Sequence, residues 1–263
     1  MTAGAGVPAV GLLPAELGPG ARGGFTTRAG GVSAGPYAGP GGTGGLDLAL
    51  HVGDERAAVR ENRRRVDAAL GAPVAWMDQV HGNAVRVVDR ATDATGECDA
   101  LVAVPGAATG SGAAPGVGVL VADCVPVLLA DPRGAVVAAV HVGRQGLVRG
   151  VLEAALAVMA ERGAPAAELY AAVGPSICGR CYEVPAALRD EVDAVVPGTA
   201  ATTSWGTPSL DLPAGVLARL AAAGVRRVHH VAVCAAEDER FYSYRRAGGA
   251  PTGRFAGVVA AGA

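Results

Sequence analysis

The chain has 263 residues, 51% of them hydrophobic, and a formal net charge of −2. No apolar stretch reaches the roughly 18 residues of a membrane span, and no block of cations marks a nucleic-acid surface. Every basic residue is Arg or His; without lysine, Schiff-base, pyridoxal phosphate and P-loop lysine chemistry are excluded.

Any anion must therefore be held by arginine, backbone N–H groups or a metal. The N-terminus lacks a basic segment ahead of an apolar one, so no signal peptide is expected and the chain is assigned to the cytoplasm. The five cysteines are an odd set in a long chain of cytosolic type, and free thiols are the expectation. No linker divides the sequence. One domain over 1–263 is expected, with 1–24 a flexible lead-in, acting as a monomer or small homo-oligomer.

Residues 1–24 and 29–45 are rich in Gly and Pro and are expected to be loop, with a short strand near 25–27. Asp54 is the expected N-cap of a helix over "ERAAVRENRRRVDAAL", stopped by Gly71. "VAWMDQV" and "AVRVVDR" alternate around "HGN", the pattern of a hairpin with His81 at its turn. "VLVADCVPVLLAD" places Asp123 and Cys124 between apolar runs, with Pro126 expected to break the strand. "GAVVAAVHVG" is a buried strand ending at His141. One helix over "LVRGVLEAALAVMAERG" follows, stopped by Gly163. "AELYAAVGPS" runs as a strand into a Gly-Pro-Ser turn. "AALRDEVDAVV" and "LPAGVLARLAAAG" are helices, and "RRVHHVAVC" is a strand. Strands and helices interleave without a βαβ rhythm, which gives an α+β or mixed α/β class.

His81, Cys124 and His141 fall at strand ends or turns. Two imidazoles and a thiolate suit zinc and leave a fourth position open. The same residues also suit a cysteine nucleophile with a histidine base, or plain packing. The turn at Ser176 presents N–H groups suited to an anion. Arg245, Arg246 and Arg254 lie near Tyr242 and Tyr244, a pattern suited to phosphate and bases. Arg63, Arg64 and Arg65 point in different directions on their helix, so one at most reaches a pocket. His51 is a candidate pocket residue, whereas His229 and His230 are expected to be structural. Cys178-Gly-Arg-Cys181 is a CxxC without a second CxxC, and two free thiols beside a turn are expected.

Seven ordered motifs resemble the YfiH/laccase-domain family: "FTTRAGGVSAGPYAG", "LHVGDERAAVRENRRRV", "WMDQVHGNAV", "VLVADCVPVLLAD", "AAVHVGRQG", "VGPSICGRCYEV" and "FYSYRRAGGAPTGR". The resemblance implies a layered α/β/β/α fold with mixed, largely antiparallel sheets, also likened to cysteine hydrolases. It implies zinc ligands at His81, Cys124 and His141. That family was long labelled multicopper polyphenol oxidase. It is now described as purine nucleoside phosphorylases that also deaminate adenosine and cleave methylthioadenosine, some bacterial members being linked to peptidoglycan fidelity. Two departures stand out. The family's HAGWRG is HVGRQG here, with Arg144 at the Trp position and Gln145 at the Arg position, and its LNL is LDL at 46–48.

The expected function is phosphorolysis of a purine nucleoside, with adenosine deamination as a second reaction. His81, Cys124 and His141 form the catalytic metal set, and Arg63, Arg144, Ser176, Arg245 and Arg254 bind substrate. Zinc polarises the base or activates water. A copper-dependent phenol oxidase is the first rival. A blue-copper site needs a weak axial ligand such as Met, and Met77, in the strand leading to His81, is the residue in question. Five histidines are too few for a multicopper enzyme. A non-enzymatic binding protein of the cell wall is the second rival, favoured by the changed HVGRQG.

Overall fold

The wholly apolar runs become strands covered on both faces, as expected when a sheet has no solvent side. The computed structural model describes residues 10–92, 94–104 and 115–262. From the N-terminal side come β1 (Leu12–Pro14), β2 (Ala21–Thr26) and β3 (Ala29–Ser33), then helix α1 (Arg56–Leu70). Strands β4 (Val74–Trp76), β5 (Val85–Val88) and β6 (Ala100–Ala103) precede β7 (Gly116–Val121), β8 (Val125–Ala130) and β9 (Val137–Val142). Helices α2 (Arg144–Val148) and α3 (Val151–Glu161) follow, then β10 (Tyr170–Val173) and α4 (Ala186–Val195). A small hairpin, β11 (Ala200–Thr202) and β12 (Pro208–Leu210), leads to α5 (Leu212–Ala222) and β13 (Arg227–His230). Short α6 (Tyr244–Ala247) and β14 (Phe255–Ala261) complete the series.

Two mixed sheets stack face to face. One has the order β1-β2-β14-β7-β4, the other β13-β10-β8-β9-β6-β5. Strand alternation assigns each apolar side chain to a layer. Val117, Val119 and Val121 of β7 meet Leu128, Ala130, Val137 and Ala139 between the sheets, together with Phe25 and Phe255. Val125, Val127, Leu129, Ala138 and Val140 point the other way, onto α2, α3, α4 and α5. On the outside of the first sheet, Val66 and Leu70 of α1 pack with Trp76, Leu120 and Val258. The layers are therefore α/β/β/α. Among the described residues no helix is long and apolar enough to cross a membrane.

Several local expectations are corrected. The described part of the 1–24 segment carries β1 and most of β2, and β2 pairs with β14; residues 1–9 lie outside the described residues. Its glycines serve contact: a Cβ at Gly23 would meet the Val258 carbonyl at 2.4 Å, and one at Gly24 the Leu13 carbonyl at 2.3 Å. The 29–45 segment likewise contains β3. The hairpin at His81 is absent, because β4 and β5 belong to different sheets and the segment between them crosses the sandwich. Pro126 does not break its strand: it lies inside β8, opposite His141. Its carbonyl accepts from Gly174 N–H, just past the end of β10, and a strand residue's N and O point to the same side. The missing donor thus faces Gly174, where the β8–β10 ladder ends. The helix expected over 147–163 is two, α2 and α3, divided at Gly150 with φ +76°. Helix α1 has Glu55 as its N-cap, with no side-chain cap; Asp54 instead accepts from Ser33 Oγ and Glu55 N–H.

Candidate functional site

Between β7 and β8 the chain passes from one sheet to the other, and Asp123-Cys124 is that corner. Asp123 sits at φ +100°, a strained value for a residue with a side chain. One oxygen, Oδ2, accepts from Arg245 N–H at 2.7 Å. The other, Oδ1, is buried without a partner, and burial raises the carboxyl's pKa. The corner is thus tied to the C-terminal segment, and it delivers Cys124 to the rim of the sandwich.

His141 arrives from the adjoining strand. It follows Val137 and Ala139 on the face turned between the sheets, so alternation aims its imidazole toward Cys124. His81 comes from the crossover, at φ +60°. One buried carboxylate supports both histidines. Asp99 accepts from His141 Nδ1 at 2.7 Å and from the backbone N–H groups of His81 at 2.9 Å and Gly82 at 2.6 Å. Burial is the largest influence and raises the Asp99 pKa, but the hydrogen bonds from His141, Gly82 and His81, together with the His141 charge, outweigh it and the net shift is downward. With Nδ1 engaged, His141 turns Nε2 to the centre of the group. A ligating histidine oriented by a carboxylate is a common metal-site arrangement.

The three donor atoms lie within 4.8 Å of one another. Cys124 Sγ is 3.8 Å from His81 Nε2, and the imidazoles meet edge to face, centroids 4.7 Å apart at 74°. Zinc bonds of about 2.0–2.1 Å to nitrogen and 2.3 Å to sulfur place neighbouring donors roughly 3.6 Å apart. A Cβ on Gly143 would lie 2.8 Å from the His81 ring and 3.2 Å from Cys124 Sγ, so glycine is what lets the backbone pass this close. The residues fit a tetrahedral metal with one position left over. Charge is also arranged: burial pushes the Cys124 thiol up, yet the imidazoles of His141 and His81 hold it down at about 6. Burial opposes protonation of His141, but Cys124 and Asp99 hold its pKa up at about 9. Without metal, Cys124 and His141 form a thiolate–imidazolium pair.

The trio opens onto a cavity of about 450 Å³, within the usual range for small-molecule sites. Leu120, Val121, Ile177 and Leu212 give it apolar walls, while Arg144, Arg245 and Arg254 bring three guanidinium groups to its lining. Arg245 lies 5.3 Å over the Tyr182 ring and donates to the carbonyls of Cys181 and Glu183. Arg254 donates to the carbonyls of Thr252 and Gly253. A guanidinium has five N–H donors, so this anchoring fixes the fork and still leaves donors for an anion. Arg144 opens α2 and shares a side-chain hydrogen bond with Tyr182; neighbouring Gln145 is exposed and outside the lining. The cation at position 144 is on the pocket side. His51 also lines the cavity.

Three sequence expectations lie elsewhere. Arg63 is outside the lining: it stacks on Trp76 at 4.8 Å and donates to the Leu48 carbonyl, beside a shallow neighbouring groove. Ser176 is buried, and its turn offers no anion nest. Gly174, Ser176 and Ile177 N–H donate to the carbonyls of Pro126, Val233 and Asp123, and Pro175 has no N–H. Arg246 is a brace, donating to the carbonyls of Ala235 and Phe241. His229 lies outside the lining and accepts from Glu16 N–H. Gln79, Asp99 and Tyr182 were not anticipated. Gln79 clamps Leu120 through both backbone groups at 2.8 Å. A charged residue directly before an apolar strand, as in "CDALVAV", is the signal that points to Asp99.

Fold and pocket together define the class: a layered α/β/β/α protein with a His₂Cys donor set where the chain changes sheets. The chain belongs to the family described as multi-copper polyphenol oxidoreductase laccase, whose model matches residues 22–262. It is 50% identical over 238 residues, 89% of this chain and 92% of the relative, to "Purine nucleoside phosphorylase ORF3" of Streptomyces griseus. Among solved structures it resembles protein NMB0706 of Neisseria meningitidis, at 34% identity and TM-score 0.81 over 96% of this chain and 99% of that one. It also resembles YfiH of Bacillus licheniformis, at 26% identity and TM-score 0.76 over 91% and 92%.

Proposed function

We propose that the chain is a purine nucleoside phosphorylase that accepts adenosine, inosine and methylthioadenosine and deaminates adenosine at the same site. The carrying observation is that one cavity gathers the His81–Cys124–His141 donor set and three arginines; the name of the S. griseus relative supports the same reading. Zinc held by His81, Cys124 and His141 would supply a Lewis acid with one position open to substrate.

The chain's own residues carry the rest. Arg245 and Arg254 bind phosphate through charge-assisted hydrogen bonds, with Arg144 as the third cation. They place it beneath the sugar, where its charge offsets the cationic character of a breaking glycosidic bond and its oxygen attacks C1′. Tyr182 and Tyr244 offer ring faces to the purine at the cavity mouth, and the apolar walls exclude water that would compete with phosphate. Asp99 fixes the orientation of His141. Arg63 and Ser176, being outside the lining, have no direct part in this mechanism.

Inosine is the first substrate to try. Release of hypoxanthine should require phosphate and produce ribose 1-phosphate; release that ignores phosphate would make the protein a hydrolase. Conversion of adenosine to inosine, followed without phosphate, tests the deaminase activity. The family description keeps a copper phenol oxidase as the second reading. Met77 and Met159 are both buried in the hydrophobic cores and outside the cavity lining, so neither is placed as an axial copper ligand. Elemental analysis separates zinc from copper. A zinc-loaded protein inert toward every nucleoside would favour the binding role.

A further inference from the structure

A second convergence of metal-type donors lies outside the cavity lining. Cys178 and Cys181 occupy the turn that follows β10, and Cys234 and Glu237 occupy the segment that follows β13. The two segments run side by side: Ser176 N–H donates to the Val233 carbonyl at 3.2 Å, and Ala235 N–H to the Ser176 carbonyl at 2.9 Å. Side-chain donors of all four residues lie within 4.8 Å of one another. Neither segment alone has a metal motif; the register between them makes one.

The local geometry draws the four donors together. Cys181 and Tyr182 N–H both donate to the Cys178 carbonyl, closing the Cys-Gly-Arg-Cys turn at 3.0 and 3.1 Å. Within it, Arg180 N–H is directed at the Cys178 sulfur. Cys178 N–H is 3.4 Å from Cys234 Sγ, and Glu237 Oε1 is 3.3 Å from Cys181 Sγ. Two backbone N–H groups are thus aimed at sulfur while the Cys181 thiol donates to the Glu237 carboxylate; a bound metal would displace the thiol protons. Three sulfurs cannot all be satisfied by disulfide pairing, and all three cysteines are free. One soft divalent cation satisfies them together. A tetrahedral zinc with sulfur at about 2.3 Å separates its ligands by roughly 3.8 Å, so the cluster needs to contract by less than about an ångström. Arg180 Nη2, 3.1 Å from Glu237 Oε2, offsets part of the negative charge.

We propose that Cys178, Cys181, Cys234 and Glu237 form a second metal site, a closed structural zinc centre that staples the 176–183 segment to the 233–238 segment. Its donors are sulfur-rich, and the staple fixes the stretch that presents Ile177 and Tyr182 to the cavity. It stands independently of the proposed activity.

Metal content of protein purified under reducing conditions from zinc-supplied cells tests it. Each donor cluster should carry one zinc. The Cys178→Ser/Cys181→Ser double variant should lose one equivalent and Cys124→Ala the other. A double variant that keeps full metal content overturns the site, as does wild-type protein whose only metal disappears with Cys124→Ala. Where the double variant does not fold, cobalt replaces zinc in wild-type protein. The staple predicts thiolate-to-cobalt charge-transfer absorption about three times stronger at the second site than at the first, matching three thiolates against one. A spectrum of a single thiolate overturns it, and so does a Cys178–Cys181 disulfide found by mass spectrometry in the reduced preparation.

Discussion

The two donor clusters use overlapping residue types for opposite ends. Around Cys124 the donors are two nitrogens and one sulfur, a buried carboxylate orients one ring, and a cavity of about 450 Å³ with three arginines faces the remaining position. Around Cys178 the donors are three sulfurs and a carboxylate, the support is backbone N–H groups, and none of the four residues lines that cavity. Holding a metal, the first arrangement would leave a coordination position for chemistry; the second would fill it. The difference originates in topology. A chain that changes sheets at a strained corner opens a hole at the end of a sandwich, whereas two loops in parallel register press flat against each other.

The largest effect expected is at Cys124. Cys124→Ala should remove the pocket metal and lower kcat/KM for inosine by at least about 10³-fold, the several kcal/mol that a Lewis acid supplies. The sulfur cluster should keep its metal in the same variant. Full activity in metal-free Cys124→Ala protein would end the catalytic distinction between the clusters.

Next in size is Asp99→Asn. The amide preserves shape and can still accept, but it removes the charge that orients His141 and receives the N–H groups of His81 and Gly82. Affinity for the pocket metal should fall by about 10- to 100-fold, measured by competition with a chelator, while the sulfur cluster holds. An unchanged affinity would mean that packing, rather than the carboxylate, sets the ring.

The pH dependence of the pocket follows from its ion pair. Metal takes Cys124 as thiolate and His141 as neutral imidazole. In the metal-free protein Cys124 loses its proton at about 6 and His141 keeps one up to about 9. Between those values binding expels one proton from this pair, so its contribution makes affinity rise about tenfold per pH unit. Below about 6 both protons must leave and the dependence steepens; above about 9 the contribution is flat. Proton release on zinc addition in weakly buffered solution measures this directly. Flat affinity from pH 6 to 9 would rule out the ion pair.

How much of this was legible in the sequence depends on how far apart the cooperating residues lie. His81, Cys124 and His141 stood out because each sits in a motif with its own signature. The layered fold came through the resemblance, not through periodicity, because strands buried on both faces lose their alternation. Gly23 and Gly24 looked like loop residues, since composition does not distinguish a glycine needed for a turn from one needed for close strand contact. Pro126 looked like a break because the end of β10 is invisible locally. The Ser176 turn looked like an anion nest because Val233, which takes its N–H, is distant in sequence. Cys178 and Cys181 looked like spare thiols for the same reason: Cys234 and Glu237 reach them only through the pairing of two loops.

The smallest effect expected is at Arg180, and it tests whether the sulfur cluster depends on donors or on charge. The Arg180–Glu237 pair is 3.1 Å long, but its side chains are 65% and 46% exposed. Ion pairs that exposed are screened by water and salt and contribute little. Arg180→Gln should leave the urea midpoint unmoved within error and change metal affinity at the sulfur cluster by less than about threefold. The turn keeps its N–H at residue 180 whatever the side chain, so the backbone support for Cys178 survives. If Arg180→Gln sheds that metal, the guanidinium charge holds the cluster together, and the contrast between an electrostatically tuned pocket and a donor-driven staple fails.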